Sequence, residues 1–251
     1  MISLAGKAAL ITGGSRGIGA ATVKLFSRAG ADVVFGYHRN REAAEKVAQE
    51  AKRHGTRVEH FKADLGKTAE IKKLVDFAHK RLGRVDILVA NAGIYNANAT
   101  PIEKMTEREW DEMSRINEKS VYAIVHDCVP HMIAQKSGRI ITISSGAAQR
   151  GSAFHSHYAA TKGAIISFTK SLALELAPHN ILVNCVSPGF VYTDMSAPFL
   201  KTAKGMKFAT DMTPLGRVGK PEEIAGPILF AASDLATYMT GQVISVNGGS
   251  I

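Results

Sequence analysis

The chain is poor in cysteine. Cys128 and Cys185 lie far apart inside apolar segments of a 251-residue sequence, which suits buried thiols in a reducing compartment better than a disulfide or a metal site. No run approaches the roughly 18 apolar residues of a membrane helix. The first residues, Met1 to Lys7, also lack the basic start and long apolar stretch of a signal peptide, so a cytosolic location is expected. No Pro/Gly/Ser-rich linker, repeat or low-complexity segment divides the chain, and one domain over 1–251 is expected. Blocks of like charge are missing too. The net charge of +9 is spread over helical segments, which reads as a basic solvated surface rather than a nucleic-acid or membrane footprint. With 45% hydrophobic and 21% charged residues, the composition excludes disordered and fibrous classes.

What is present is an alternation of strands and helices. Lys7-Ala-Ala-Leu-Ile-Thr12 is a short apolar run that enters Gly13-Gly-Ser-Arg-Gly17-Ile-Gly19, and residues 20–29 then follow with helical apolar spacing. This strand, glycine turn and helix would let a backbone approach a diphosphate at a helix N-terminus. Its G-x3-G-x-G spacing differs from both the G-x-G-x-x-G fingerprint and the P-loop. The second strand, 31–37, ends without an acidic residue, in Gly36-Tyr37-His38-Arg39, and Asp32 stands at its start. An acid near the end of this strand takes the ribose hydroxyls of NAD, whereas basic residues suit the extra phosphate of NADP. Arg16 and Arg39 together with the missing acid favour NADP.

Helical spacing returns over 40–54 and 67–82, with strands at 56–61 and at 85–90. The run Val85-Asp-Ile-Leu-Val-Ala90 enters Asn91-Ala92-Gly93 and is apolar enough for a strand buried on both faces of a parallel sheet. Such alternation predicts a doubly wound α/β sheet whose carboxyl ends gather Gly13, His38, Asp64 and Asn91. One extended helix is expected over 107–135, with Asn117 in its middle. Strand five, 138–145, delivers Ser145 to the same edge. A helix over 158–176 carries Tyr158 and Lys162, four residues apart on one face. A phenol beside an ammonium is a proton donor with its pKa drawn down from about 10, and a nearby Ser hydroxyl can hold a carbonyl oxygen. Strand six, 180–186, leads through Ser187-Pro188-Gly189 into 190–218, where Met195, Phe199, Met206, Phe208 and Met212 scatter among polar residues as in a mobile lid. A helix at Pro221–Ala232 and a strand at 242–246 complete the pattern.

Thr12-Gly-Gly-Ser-Arg-Gly-Ile-Gly19, Asn91-Ala-Gly93, Asn117, Ser145, Tyr158-x-x-x-Lys162 and Pro188-Gly-Phe-Val-Tyr-Thr193 come in the order and spacing of the short-chain dehydrogenase/reductases, and the resemblance covers essentially the whole chain. It implies a Rossmann-type sheet of seven strands and a nicotinamide cofactor. Tyr158 resembles that family's general acid, Lys162 the group that tunes it and holds the nicotinamide ribose, Ser145 the carbonyl-orienting hydroxyl, and Asn117 the holder of a proton-relay water. The resemblance assigns Gly13, Ser15, Arg16, Gly17, Ile18 and Gly19 to the diphosphate side and Asp64 and Leu65 to the adenine. Asn91, Ala92 and Gly93 go to the adenosine ribose region, and Thr193 to the carboxamide. His38, Arg39, Pro188, Gly189 and Val191 are further cofactor positions.

Within the family the chain looks most like the bacterial 3-oxoacyl-acyl-carrier-protein reductases, which implies an NADPH-dependent ketone reductase. Lys136 and His179 stand where those enzymes carry basic docking residues for the acidic carrier protein. Two other functions stay open. One is a dehydrogenase of a sugar, polyol or other small alcohol, with His155 and His157 lining a polar pocket; the other is a non-catalytic cofactor sensor, against which the intact Ser145, Tyr158 and Lys162 argue. A homotetramer formed through the 107–135 and 158–176 helices is implied, and no metal.

Overall fold

The structure, a computed structural model, describes residues 2–96 and 98–250; of the expected range 1–251, Met1, Ala97 and Ile251 lie outside the described residues. Seven strands form one sheet: β1 (Ala8–Ile11), β2 (Asp32–Tyr37), β3 (Val58–Lys62), β4 (Ile87–Ala90), β5 (Gly138–Ile143), β6 (Ile181–Pro188) and β7 (Val243–Val246). All pairings are parallel, in the order β3-β2-β1-β4-β5-β6-β7. The chain winds one way from β1 to β3 and then crosses to the other side of β1, so the order reverses between β1 and β4. A ligand crevice opens beyond the carboxyl ends of strands at such a point.

The helices are α1 (Gly17–Arg28), α2 (Arg41–Lys52), α3 (Thr68–Leu82), α4 (Glu107–Ser114) and α5 (Ser120–Gln135). They continue with α6 (Ala147–Arg150), α7 (Ser156–Leu176), α8 (Ala197–Leu200), α9 (Ala203–Asp211) and α10 (Pro221–Ala232). Successive strand residues face opposite sides. Ile11 and Phe35 therefore pack with Phe26 of α1 and Ile228 of α10, while Leu10 and Val34 pack with Leu74 of α3, Met132 of α5 and Ile165 of α7. Both faces are covered, which is why the inner strands read as unbroken apolar runs. Phe26 and Phe35 are wholly buried, and each contributes on the order of 1.5–3 kcal/mol.

Local signals set the helix ends. The Asn40 side chain accepts from the Ala43 N–H at 2.9 Å to start α2, Gly83 closes α3 at φ 78°, and Thr106 with Glu109 forms a capping box ahead of α4. At the amino end of β2, Asp32 is bound by Arg57, at 2.7 Å through the backbone N–H and 3.0 Å through the guanidinium. It is turned away from the crevice.

Two elements differ from expectation. The single helix over 107–135 is instead α4 and α5 joined by a π turn, Arg115–Lys119. The wide turn sends the Asn117 side chain inward, where it accepts from the Ile94 N–H at 2.7 Å and donates to the Ile94 carbonyl at 2.9 Å. Residues 190–218, expected to be loose, contain α8 and α9. Phe190, Phe199 and Phe208 pack there with ring centroids 6.0–6.4 Å apart. Both cysteines are free and buried, and burial pushes both thiols up. No helix of the described residues is long and apolar enough to cross a membrane. Among them no His/Cys/Asp/Glu cluster suits a metal.

Candidate active site

The ends of β1 and β4 are laced together. Thr12 Oγ1 accepts from the Asn91 and Ala92 N–H groups at 3.0 and 2.9 Å, and Asn91 Nδ2 donates to the Thr12 carbonyl at 2.9 Å. From this anchor the chain turns through Gly13 at φ 68° and Gly17 at φ 53°, left-handed conformations that favour glycine. At Gly14 a Cβ would lie 2.6 Å from Phe35 Cβ, and at Gly19 it would overlap the Gly13 carbonyl. Because α1 starts at Gly17 with no side-chain cap and no acid in its first turn, its N–H groups and positive dipole end are left for an anion. The turn is thus a backbone-lined slot that fits a diphosphate.

A cavity of about 1090 Å³ extends from this slot. It is lined by Gly13, Ser15, Arg16, Gly17, Ile18, Gly19, His38, Arg39, Asn91, Ala92 and Gly93, and further along by Ser145, Tyr158, Lys162, Pro188, Gly189, Val191 and Thr193. The acids on its wall are Glu112 and Asp194, and neither follows β2. Asp194 stands 3.8 Å from Arg16.

Three expectations need correction. Asp64 and Leu65 do not line this cavity: the Gly66 N–H donates to the Asp64 carboxylate at 3.0 Å, lowering its pKa with help from His38 and Lys67, and Leu65 borders a separate small pocket. Strand order brought them to the right edge, but the turn folds Asp64 onto its own loop. Asn117 is not among these corrections: it is wholly buried behind the wall, where a Cβ on Gly93 would be 3.0 Å from Asn117 Oδ1 and 3.5 Å from Lys162 Nζ. Of the two histidines, His155 lines the cavity, whereas His157 is buried and feels Glu109 of α4. Two residues along a helix point to different sides.

The third correction concerns Lys162. Its Nζ donates to the Ile143 carbonyl at 2.9 Å and stands 5.9 Å from the Tyr158 ring centroid, with Ser144 Oγ donating to the Lys162 carbonyl at 2.7 Å beneath it. So aimed, the ammonium does not draw the phenol down. Burial pushes Tyr158 up, opposed by a hydrogen bond with Ser145, and burial holds Lys162 down at about 8. Unfolded, Lys162 returns to its ordinary 10.5. Below about 8 both states keep the proton, and between about 8 and 10.5 only the unfolded state does, so stability rises with pH across that window. Urea unfolding of the cofactor-free protein should show this rise, and Lys162→Met should flatten it.

The far half combines expected lid residues with Tyr95, Arg150, Phe154 and Phe190, which were not foreseen. The Tyr95 ring stacks on His155 at 4.8 Å and meets Tyr158 edge-on at 5.0 Å. Phe154, Phe190, Met195, Phe199 and Phe208 continue the wall, with Arg150 above Phe190. The apolar residues of 190–218 were the one available signal; nothing local marked Tyr95 or Arg150.

The comparisons with known proteins agree with this geometry. A family profile described as Enoyl-(Acyl carrier protein) reductase matches residues 13–250. The chain is 40% identical over 248 residues to a 3-oxoacyl-[acyl-carrier-protein] reductase of Thermotoga maritima, covering 99% of both. It is 41% identical over 249 residues to one from Chlamydia pneumoniae, covering 99% of this chain and 98% of that one. Among solved structures, a short-chain dehydrogenase from Burkholderia cenocepacia in complex with NADP is 32% identical at a TM-score of 0.91, with 98% of each chain covered. One from Mycobacterium marinum is 34% identical at 0.92, covering 99% of this chain and 96% of that one. With the glycine slot, the Ser145, Tyr158 and Lys162 cluster and these full-length matches in agreement, the chain belongs to the short-chain dehydrogenase/reductase family of nicotinamide-dependent oxidoreductases, and it is most like the 3-oxoacyl-acyl-carrier-protein reductases.

Proposed function

We propose that the protein reduces the ketone of a 3-oxoacyl thioester with NADPH. The observation that carries this reading is one continuous cavity joining the glycine slot, Ser145 with Tyr158, and an aromatic far half. When bound, NADPH supplies the hydride. The N–H groups at the start of α1 hold the diphosphate, and Arg16 and Arg39 hold the adenosine phosphate. The Ser145 hydroxyl orients the ketone oxygen, and the Tyr158 phenol protonates it as it becomes an alkoxide. Lys162 holds the nicotinamide ribose and resupplies the proton. Asn117 braces Ile94 behind Lys162 and passes the relay toward solvent. The 190–218 segment closes over the acyl group.

A sugar or polyol substrate is disfavoured by the ring faces of Phe190, Phe199 and Phe208, which suit an acyl chain better than a ring of hydroxyls. Retention of Ser145, Tyr158 and Lys162 disfavours a silent sensor. Lys136 and His179 give little support to carrier docking beside the pocket. The Asn180 Nδ2 donates to the Lys136 carbonyl at 3.2 Å, which holds the pair at the amino ends of β5 and β6, the edge away from the cavity of the same chain. Exposed Tyr122 on α5 and Leu174 on α7 favour a homotetramer joined through these helices, and a cytoplasmic location fits the free thiols.

Steady-state kinetics with an acetoacetyl thioester, a crotonyl thioester, a diketone and several sugars tests the reading. The acetoacetyl thioester should give the highest kcat/KM with NADPH and the crotonyl thioester none. A sugar as best substrate would overturn the proposal. Arg39→Ala should raise KM for NADPH about 10- to 100-fold, as expected for a lost charged hydrogen bond, and leave KM for NADH unchanged.

A further inference from the structure

Arg150 is held in place on the wall of the far half. It ends α6, the short helix that follows Ser145, and its backbone N–H donates to the Gly146 carbonyl at 3.1 Å. The guanidinium carbon sits 5.4 Å from the Phe190 ring centroid, a cation–π contact that fixes the head group over the wall. Nη1 donates to the Gly151 carbonyl at 3.3 Å. Tyr95 lines the same cavity as Arg150 and meets Tyr158 edge-on. Arg150 and the Tyr158 phenol therefore share one cavity, with the Tyr95 and Phe190 rings on its wall.

The remaining charged groups of the wall do not neutralise it. Asp194 faces Arg16, Glu112 belongs to α4, and Lys204 belongs to α9. Among the described residues no carboxylate pairs with Arg150. A guanidinium carries five N–H donors, and among the described residues only the Gly151 carbonyl takes one of them.

We infer that Arg150 is a specificity-determining residue that donates to the second oxygen of a β-dicarbonyl substrate, two carbons beyond the ketone held by Ser145 and Tyr158. This rests on the ketone-reductase reading above and narrows its substrate. The second oxygen belongs either to a thioester or to a free carboxylate; both are acceptors that a guanidinium binds, and the assay separates them.

The test compares wild type, Arg150→Met and Arg150→Lys, each with NADPH, on an acetoacetyl thioester, free acetoacetate and the monoketone 2-pentanone. Arg150→Met should raise KM for the β-dicarbonyl substrate about tenfold or more, as for a lost charged hydrogen bond. Its kcat should stay within about twofold and its kinetics on 2-pentanone unchanged, because the proton-transfer groups are untouched. Arg150→Lys should recover part of the loss, keeping the charge without the fork. Equal losses on 2-pentanone, or no change on either β-dicarbonyl, would overturn the inference. If wild type reduces acetoacetate but not the thioester, and Arg150→Met impairs that reaction, the inference stands and the thioester reading falls. If wild type reduces neither, both fall. NADPH titration by fluorescence, unchanged across the three proteins, excludes a collapsed site as the cause.

Discussion

Tyr158→Phe should lower kcat by about a thousandfold while leaving the affinity for NADPH within about twofold, since positioned proton transfer contributes roughly 10²–10⁴ to such reactions. The substitution removes one oxygen and keeps the ring that Tyr95 packs against edge-on, so the wall survives. Burial raises the phenol's pKa, which keeps it protonated through the neutral range as a donor to the ketone oxygen must be. In the cofactor-free protein nothing strips that proton early, because the Lys162 ammonium is aimed at the Ile143 carbonyl. Stopped-flow turnover and fluorescence titration of the same preparation measure the two quantities. Turnover near the wild-type rate would remove Tyr158 from the mechanism.

The second large effect is expected at Gly19. Gly19→Ala places a methyl on the Gly13 carbonyl and 2.7 Å from Asn91 Nδ2. To admit it the glycine turn must move away from the end of β4 and give up the Asn91 bond to the Thr12 carbonyl. Overpacking of this kind costs about 1–3 kcal/mol, or a fall in Tm of several degrees for a chain of this size, at roughly 2–4 °C per kcal/mol. The loss in cofactor affinity should be larger, about 100-fold, because the N–H groups that meet the diphosphate are carried on the displaced turn. Calorimetry reads the first and NADPH titration the second. Lost stability with full affinity would mean that the diphosphate binds elsewhere.

The sheet was legible because both of its faces are buried: Ala8–Ile11 and Ile87–Ala90 are apolar throughout and have no other stable use. The slot was legible because left-handed turns and close backbone approach require glycine, and Gly13, Gly17 and Gly19 stand where they do. Ser145, Tyr158 and Lys162 could be picked out because helix and strand geometry brings them to one edge. What could not be read were directions settled by distant partners. The Lys162 ammonium points to Ile143 rather than to the phenol, the Asp64 carboxylate folds onto Gly66 rather than toward a ligand, and His157 turns to α4 while His155 faces the cavity. Tyr95 and Arg150 were invisible for the same reason, since each acquires its place from a ring on another segment.

The π turn at Arg115–Lys119 bears on how this chain tolerates length changes. A π turn is one residue inserted into an α-helix, and the strain of that insertion is absorbed within a single turn, so α4 and α5 keep a common phase on either side of it. Excising one residue there, Ile116 for example, would knit the two into a regular helix with its apolar stripe still facing the sheet. The Asn117 amide would then no longer be directed at Ile94, leaving the Ile94 N–H and carbonyl without their partner at a cost of about 1–3 kcal/mol for each buried group left unpaired, and the loop behind the nicotinamide end would lose its brace. The extra residue of the π turn is thus what ties the helix pair to the loop behind the nicotinamide end.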